Sequence, residues 1–273
     1  MNVEFLYNHA AGRQALCLFQ KAGGTKLGAW FLHTKLSRVM IPSYISRNNI
    51  NMEEFEGQTY QSFAEFFGRK KEISLKETDP DVLISPCDSL LSVYPIQDGL
   101  VIPMKGSAYR ISDLVPDPFY ANQFTGGACL IFRLEASDYH HFCYIDDGKQ
   151  YETRYIPGEL HSVQPIALEK FPVYRLNRRW WTPMDTEHFG TVMQIEVGAM
   201  MVGGVTHVRE TGSFAKGEEM GNFELAGSTI ALLIGSDTMK KLRLDAKFRP
   251  AWRGKEEVRV RLGDRLGEIW TDR

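Results

Sequence analysis

The residues whose types and spacing could carry out chemistry lie in three short stretches. Gly221 to Gly235, "GNFELAGSTIALLIG", is an apolar strand pattern in which Phe223, Leu225 and Ile230 to Ile234 are interrupted by Gly227-Ser228-Thr229. Glycine weakens a strand, so the triplet marks either a plain bulge or a place where backbone freedom is used. In the second case the Ser228 hydroxyl attacks the Gly227 carbonyl, which no side chain shields. The resulting ester eliminates, leaving a C-terminus at Gly227 and a dehydroalanine that becomes a pyruvoyl ketone, an electron sink of the kind cofactors supply. "SPCD", Ser85 to Asp88, sets a carboxylate at the end of an apolar run, where it either closes a turn or serves a site. "EASDYHHFCYIDDG" gathers Asp138, His140, His141, Cys143, Asp146 and Asp147. Strand alternation puts Tyr139, His141 and Cys143 on one face, with His140 and Phe142 on the other. No second pair of ligands stands at zinc-binding spacing, so no metal is expected. A cysteine nucleophile at Cys143 beside His140 is suggested only by proximity.

The elements that must position these residues change character along the chain. The first 75 residues read as helical: Leu16, Leu18 and Phe19, then Leu27, Trp30, Phe31, Leu36 and Met40, surround a turn at Gly23-Gly24. This helical hairpin, with Lys21, Lys26, Lys35 and Arg38 beside its apolar residues, fits either core packing or a membrane interface. A second helix, "TYQSFAEFFGRKK", ends in a basic cluster suited to a helix C-terminus. From about Asp79 the pattern turns to short β runs punctuated by Gly and Pro. The expected fold class is therefore α+β: an N-terminal helical region, 1–75, followed by a mostly antiparallel β domain, 76–273. The tail "RGKEEVRVRLGDRLGEIW" reads as an edge strand and a closing hairpin. There is no GxGxxG, no P-loop and no βαβ alternation, which disfavours nucleotide-binding α/β folds. The 273 residues are 43% apolar, and the net charge of −2 gives no global attraction to nucleic acid or anionic lipid. Four scattered cysteines, Cys17, Cys87, Cys129 and Cys143, read as free thiols in a reducing, cytosolic compartment. No run approaches the ~18 apolar residues of a spanning helix, so any membrane contact is peripheral.

Taken in order, "SFAEFFGRKK", "LISPCDS", "MKG", "SDYHHFCYIDDG", "GELHSVQP", "IEVGAMMVGGV" and "KGEEMGNFELAGST" resemble the phosphatidylserine decarboxylase proenzymes, a pyruvoyl-dependent family. The resemblance implies self-cleavage between Gly227 and Ser228, into a β chain of residues 1–227 and an α chain of residues 228–273. Ser228 then becomes the covalent pyruvoyl cofactor, which forms a Schiff base with the substrate amine. It implies that Asp88 is the aspartate of a charge-relay triad and that His140 handles substrate and protonation. The family's triad base falls at Cys143, so a thiol stands where an imidazole is expected. Cys143 itself, His140, His141 and His161 are the alternatives for that base. Ala226 and Ser89 are smaller departures from the family pattern. The implied activity is conversion of phosphatidylserine to phosphatidylethanolamine by a peripheral enzyme on the cytoplasmic face of the membrane. The implied partners are membrane phosphatidylserine, the protein's own cleaved chains and a second copy in a homodimer, with no nucleic acid. Two other readings stay open: decarboxylation of a free amino acid, and a non-catalytic lipid-binding homologue motivated by Cys143.

Overall fold

The computed structural model of the chain describes residues 3–97, 100–104, 107–199, 204–225 and 228–270. Gly227, Ala226 and the Lys105-Gly106 part of "MKG" lie outside the described residues. Helices fill the first quarter. Ala10–Lys21 and Gly24–His33 are separated at Gly23, whose φ of 75° is left-handed backbone that glycine adopts without strain. The apolar residues of this region divide. Leu16 and Leu32 are buried, whereas Leu18, Leu27, Trp30, Leu36 and Val39 are exposed.

The expected second helix is short, Phe63–Phe67. Ser62 caps it by accepting from the Glu65 backbone N–H at 3.2 Å, and Gly68 ends it before the basic residues begin. Phe63, Phe66 and Phe67 pack with Leu32, Ile41, Ile50 and Leu225 in a separate apolar cluster, tying the helical region to the β domain.

A nine-stranded antiparallel sheet dominates the rest. At its centre Thr229–Ile234 is flanked by Gly190–Val197 on one side and Ala128–Arg133 on the other, with Ser89–Pro95 and the edge strand Val258–Val260 beyond. All six residues of Thr229–Ile234 are buried because both faces are covered, which explains a continuous apolar run where a one-sided strand would alternate. Ile230, Leu232 and Ile234 enter one core, and Ala231 and Leu233 the other. Over the first core lies a three-stranded sheet, Val205–His207, Glu219–Phe223 and His141–Cys143 in that order.

Two expectations change. Phe223 and Ile230 do not share one interrupted strand: Glu219–Phe223 belongs to the small sheet and Thr229–Ile234 to the large one. Ser228 and Thr229 therefore stand at the start of the large-sheet segment, after the chain has left the small sheet. The tail contains the expected edge strand but no closing hairpin. Val258–Val260 pairs with Ser89–Pro95, whereas Arg265–Ile269 pairs with Val82–Ile84 and Leu242–Leu244 in a second three-stranded sheet. Alternating charge and Val/Leu fits either pairing, so the pattern identified the strands without their partners.

Candidate active site

Ser228 stands at one edge of the large sheet. It is 1% exposed, and its carbonyl accepts from the Leu134 backbone N–H at 2.9 Å, extending the ladder in which Thr229 faces both Arg133 and Val197. Alternation sets the Ser228 side chain on the face of Ile230, toward the small sheet. Leu90 pairs with Arg133 across the next strand, so Asp88 and Ser89 reach the same edge. Two strand spacings of about 4.8 Å put the Asp88 and Ser228 backbones roughly 10 Å apart. Asp88 is bonded to groups other than histidine: Arg261 Nη1 donates to Oδ2 at 2.9 Å and the Leu262 backbone N–H donates to Oδ1 at 2.8 Å.

His140 is fully buried, its ring 4.1 Å from that of Phe67. Nδ1 lies 2.9 Å from the Asp138 carbonyl, which fixes it as the N–H donor and leaves Nε2 with a lone pair and, among the described residues, no hydrogen-bond partner. Burial, and then the Arg69 charge, push its pKa down to about 3, so the ring is neutral at physiological pH. The Phe223 backbone N–H donates to the His140 carbonyl at 2.9 Å, which brings His140 to the end of the strand that leads to Ser228. His141 points elsewhere, with Nδ1 2.8 Å from Glu219 Oε1 and Nε2 3.2 Å from the Gly68 carbonyl.

Cys143 is buried, and its backbone N–H donates to the Pro86 carbonyl at 2.9 Å, against the "SPCD" turn. Burial pushes its thiol up to about 12 despite the Lys216 charge, so it remains protonated. His161 is held apart from this group. Its Nε2 contacts Glu159 at 2.6 Å and its ring stacks on Phe171, in a cavity beside the N-terminal helices. The structure thus gathers Ser228, Asp88 and His140 at one sheet edge, with Cys143 behind them and His161 outside.

A cleft of about 910 Å³ opens at this edge, with Arg69, Asp88, Asp138, Tyr139 and Arg261 in its wall. Arg69 was not singled out from the sequence. It is 3% exposed, lies over the rings of Phe55 and Phe66 at 5.0 and 5.2 Å, and donates from Nη2 to the Asp138 carbonyl at 3.2 Å. Burial lowers its pKa, the neighbouring tyrosines and Asp88 partly offsetting that effect, and among the described residues Nε and Nη1 have no hydrogen-bond partner. Its signal was an arginine directly after a helix of buried phenylalanines. Asp138 carries two functions: Oδ2 accepts from the Glu135 backbone N–H and Oδ1 from Arg259 Nη1, both at 2.7 Å. Gln194, Glu196 and His207 were also missed. The Gln194 side chain donates to Glu196 Oε1 at 2.8 Å, and His207 Nε2 lies 3.3 Å from Glu196 Oε2, between the two sheets. The sequence sign was two polar residues at alternate positions of the apolar run "VMQIEV".

The sequence profile of the family described as phosphatidylserine decarboxylase matches residues 61–268. Phosphatidylserine decarboxylase proenzyme 2 of Clostridium acetobutylicum is 38% identical over 271 residues, covering 97% of this chain and 91% of that protein. The phosphatidylserine decarboxylase proenzyme of Ruminiclostridium cellulolyticum is 37% identical over 243 residues, covering 86% and 81%. That of Clostridium novyi is 33% identical over 273 residues, covering 97% and 92%. With the family profile spanning most of the chain, and these relatives spanning nearly all of it, the chain belongs to the phosphatidylserine decarboxylase family.

Proposed function

We propose that the protein is a self-cleaving carboxy-lyase that breaks its own chain between Gly227 and Ser228 and then converts phosphatidylserine to phosphatidylethanolamine. The observation that carries this reading is Ser228, buried where the chain has passed between two sheets and at the same sheet edge as Asp88, which lines a cleft walled by both basic and acidic side chains. The surroundings fit a group made from Ser228: the buried His140 Nε2 has no hydrogen-bond partner among the described residues, and the strands on either side of Thr229–Ile234 hold that backbone fixed. A pyruvoyl ketone there supplies the electron sink into which the bond to CO₂ breaks.

The chain's own residues do the rest. Arg69 and Arg261 in the cleft wall attract a headgroup that carries a phosphodiester and a carboxylate. His140, neutral and shielded by Phe67, is the group placed to hold a proton near the reacting carbon. Burial is the main cause of the weak basicity of His140 and the Arg69 charge the second, so an anion bound beside Arg69 relieves only the smaller of the two. Asp88 orders the Arg261 segment and sets the negative side of the cleft. The exposed apolar residues Leu27, Trp30 and Val39, with Lys26, Lys35 and Arg38 nearby in the chain, form the face that docks on a bilayer. Among the described residues no helix is long and apolar enough to cross a membrane.

Intact mass on a denaturing separation, together with CO₂ release from phosphatidylserine vesicles, tests the reading. Two chains ending and beginning at Gly227 and Ser228, and CO₂ from the vesicles in preference to free serine or tryptophan, are expected. An active preparation made of a single uncleaved 31.1 kDa chain would overturn the pyruvoyl mechanism. Equal turnover of a free amino acid would overturn the lipid substrate.

A further inference from the structure

The interior between the two sheets holds an acid and a histidine that the decarboxylation does not use. Glu196 is fully buried on the Gly190–Val197 strand, and its partner His207 lies on the small sheet, so the pair bridges the layers. Glu196 pairs in register with Ile230, two residues from Ser228. Residues diagonal across a strand pair in this way have Cα atoms about 7–8 Å apart. Ile230, Glu196 and Ser228 share one face of the large sheet, and the His207 ring meets that face with Phe142 at 6.3 Å. Cys143 offers no base: although it is buried in the same core as Phe142 and Ile230, its thiol stays protonated.

We propose that His207, oriented by Glu196, is the general base of self-cleavage, and that this buried pair replaces the imidazole absent at Cys143. The inference rests on the self-cleavage reading above. With Nε2–H donated to Glu196, the Nδ1 lone pair accepts the Ser228 hydroxyl proton while Oγ bonds to the Gly227 carbonyl carbon. The bond from that carbon to the Ser228 nitrogen then breaks, and the nitrogen takes the proton back from His207 to leave an ester and a free amine. Loss of the Ser228 Cα proton to the same base expels the Gly227 carboxylate and leaves dehydroalanine. Water hydrolyses its imine tautomer to the ketone and ammonia. Glu196 touches no reacting atom and is a positioning residue.

The groups that bear on His207 are few. Glu196 faces it from the large sheet, and Tyr144, which follows the His141–Cys143 strand, shares the field of Glu196. Arg209 lies over the Tyr144 ring on the segment after His207, and Glu224 accepts from Thr206 beside it. Burial lowers the His207 pKa, but the Glu196 hydrogen bond and charge outweigh it, and the net direction is upward from 6.5. As a base His207 acts when neutral, so cleavage must quicken as pH rises through a value above 6.5. His140, held near 3, gives no such limb in this range.

The test follows cleavage rather than decarboxylation: full-length precursor, made in a cell-free reaction, is sampled by denaturing gel from pH 5.5 to 8.5. The wild type is expected to show an acid limb. His207→Gln should cleave at least about 100-fold more slowly, and Glu196→Gln should move the limb to lower pH. Melting of the same substitutions in a Ser228→Ala precursor separates a lost base from a lost fold. Added imidazole should restore part of the rate to His207→Gly, which a structural defect would not allow. A flat wild-type profile, or unchanged cleavage in His207→Gln, overturns the assignment while leaving self-cleavage standing. A wild-type chain that never cleaves overturns both.

Discussion

Cys143 occupies the position at which the family resemblance expects a base, and its surroundings argue against that use. A fully buried thiol held near 12 is neither a proton acceptor nor a nucleophile at neutral pH. Native protein treated with iodoacetamide at pH 8 should therefore take one label, at exposed Cys17, with Cys87, Cys129 and Cys143 reacting only after denaturation; mass mapping reads this directly. Cys143→His would force an imidazole into a packed core, at a cost of about 1–3 kcal/mol, without a gain in cleavage rate. Denaturant midpoints and the gel assay give the two numbers. His140 makes the opposite acid–base contribution to His207. Its folded pKa lies below the unfolded value, so stability is lost as pH falls from 6.5 toward 3, when the unfolded chain binds a proton that the folded one refuses. His207 is raised, so its contribution is complete below 6.5 and is lost as pH rises through its folded value. In a Ser228→Ala precursor, His140→Gln should blunt the drop in melting temperature between pH 6.5 and 4. A slope identical to that of the parent would exclude His140 as its source.

The strands that build the site were legible from the sequence as strands, and their partners were not. Thr229–Ile234 declared itself through an unbroken apolar run, yet the same run gave no sign that Glu219–Phe223 belongs to another sheet. Alternation reports which residues share a face but is blind to which layer that face meets, so one interrupted strand was read where Glu219–Phe223 and Thr229–Ile234 belong to different sheets. Ser228, Asp88 and His140 could be named as candidates from the sequence because each stands in a local motif that carries the family resemblance. Arg69, Glu196 and His207 were missed because their roles come from contacts between distant segments: Glu196 meets His207 across layers, and Arg69 reaches the Asp138 carbonyl. The fit between the layers gives a prediction at this scale. Gly221 lies opposite both His207 and Phe142, and a Cβ there would meet the Thr206 carbonyl oxygen at 2.3 Å and the Phe142 ring at 2.9 Å. Gly221→Ala should destabilise the precursor by about 1–3 kcal/mol and, by shifting His207, slow cleavage by more than the lost stability accounts for. Urea unfolding beside the cleavage assay separates the two effects.

A net charge of −2 would not by itself bring this molecule to an anionic bilayer, so the proposed docking calls for a local surface. The helical region supplies one. Trp30 is 66% and Val39 80% exposed, and with Leu18, Leu27 and Leu36 they form an apolar set that the β domain leaves uncovered, alongside Lys26, Lys35 and Arg38. The Leu32 side of the same helix packs into the cluster containing Phe63, Phe66 and Phe67, and Arg69, two residues beyond Phe67, lines the cleft. On the proposed docking, a membrane on the outer side would lie against the same helices whose inner side leads to the cleft wall. Burying an apolar side chain contributes about 1.5–3 kcal/mol when complete, and even half of that at Trp30 changes partitioning several-fold. Trp30→Asp combined with Leu27→Asp should therefore weaken sedimentation with phosphatidylserine vesicles by at least about tenfold and abolish the tryptophan blue shift on binding. Cleavage, carried out within the β domain, should be unchanged, as should turnover of a short-chain phosphatidylserine presented below its micellar concentration. Raising salt should weaken the remaining binding through the lysine and arginine contribution, since charges at the surface are screened beyond about 10 Å at 0.1 M. A variant that sediments like the wild type would move the docking surface elsewhere on the molecule, and one that also fails on the dispersed lipid would show that the helices support the cleft itself.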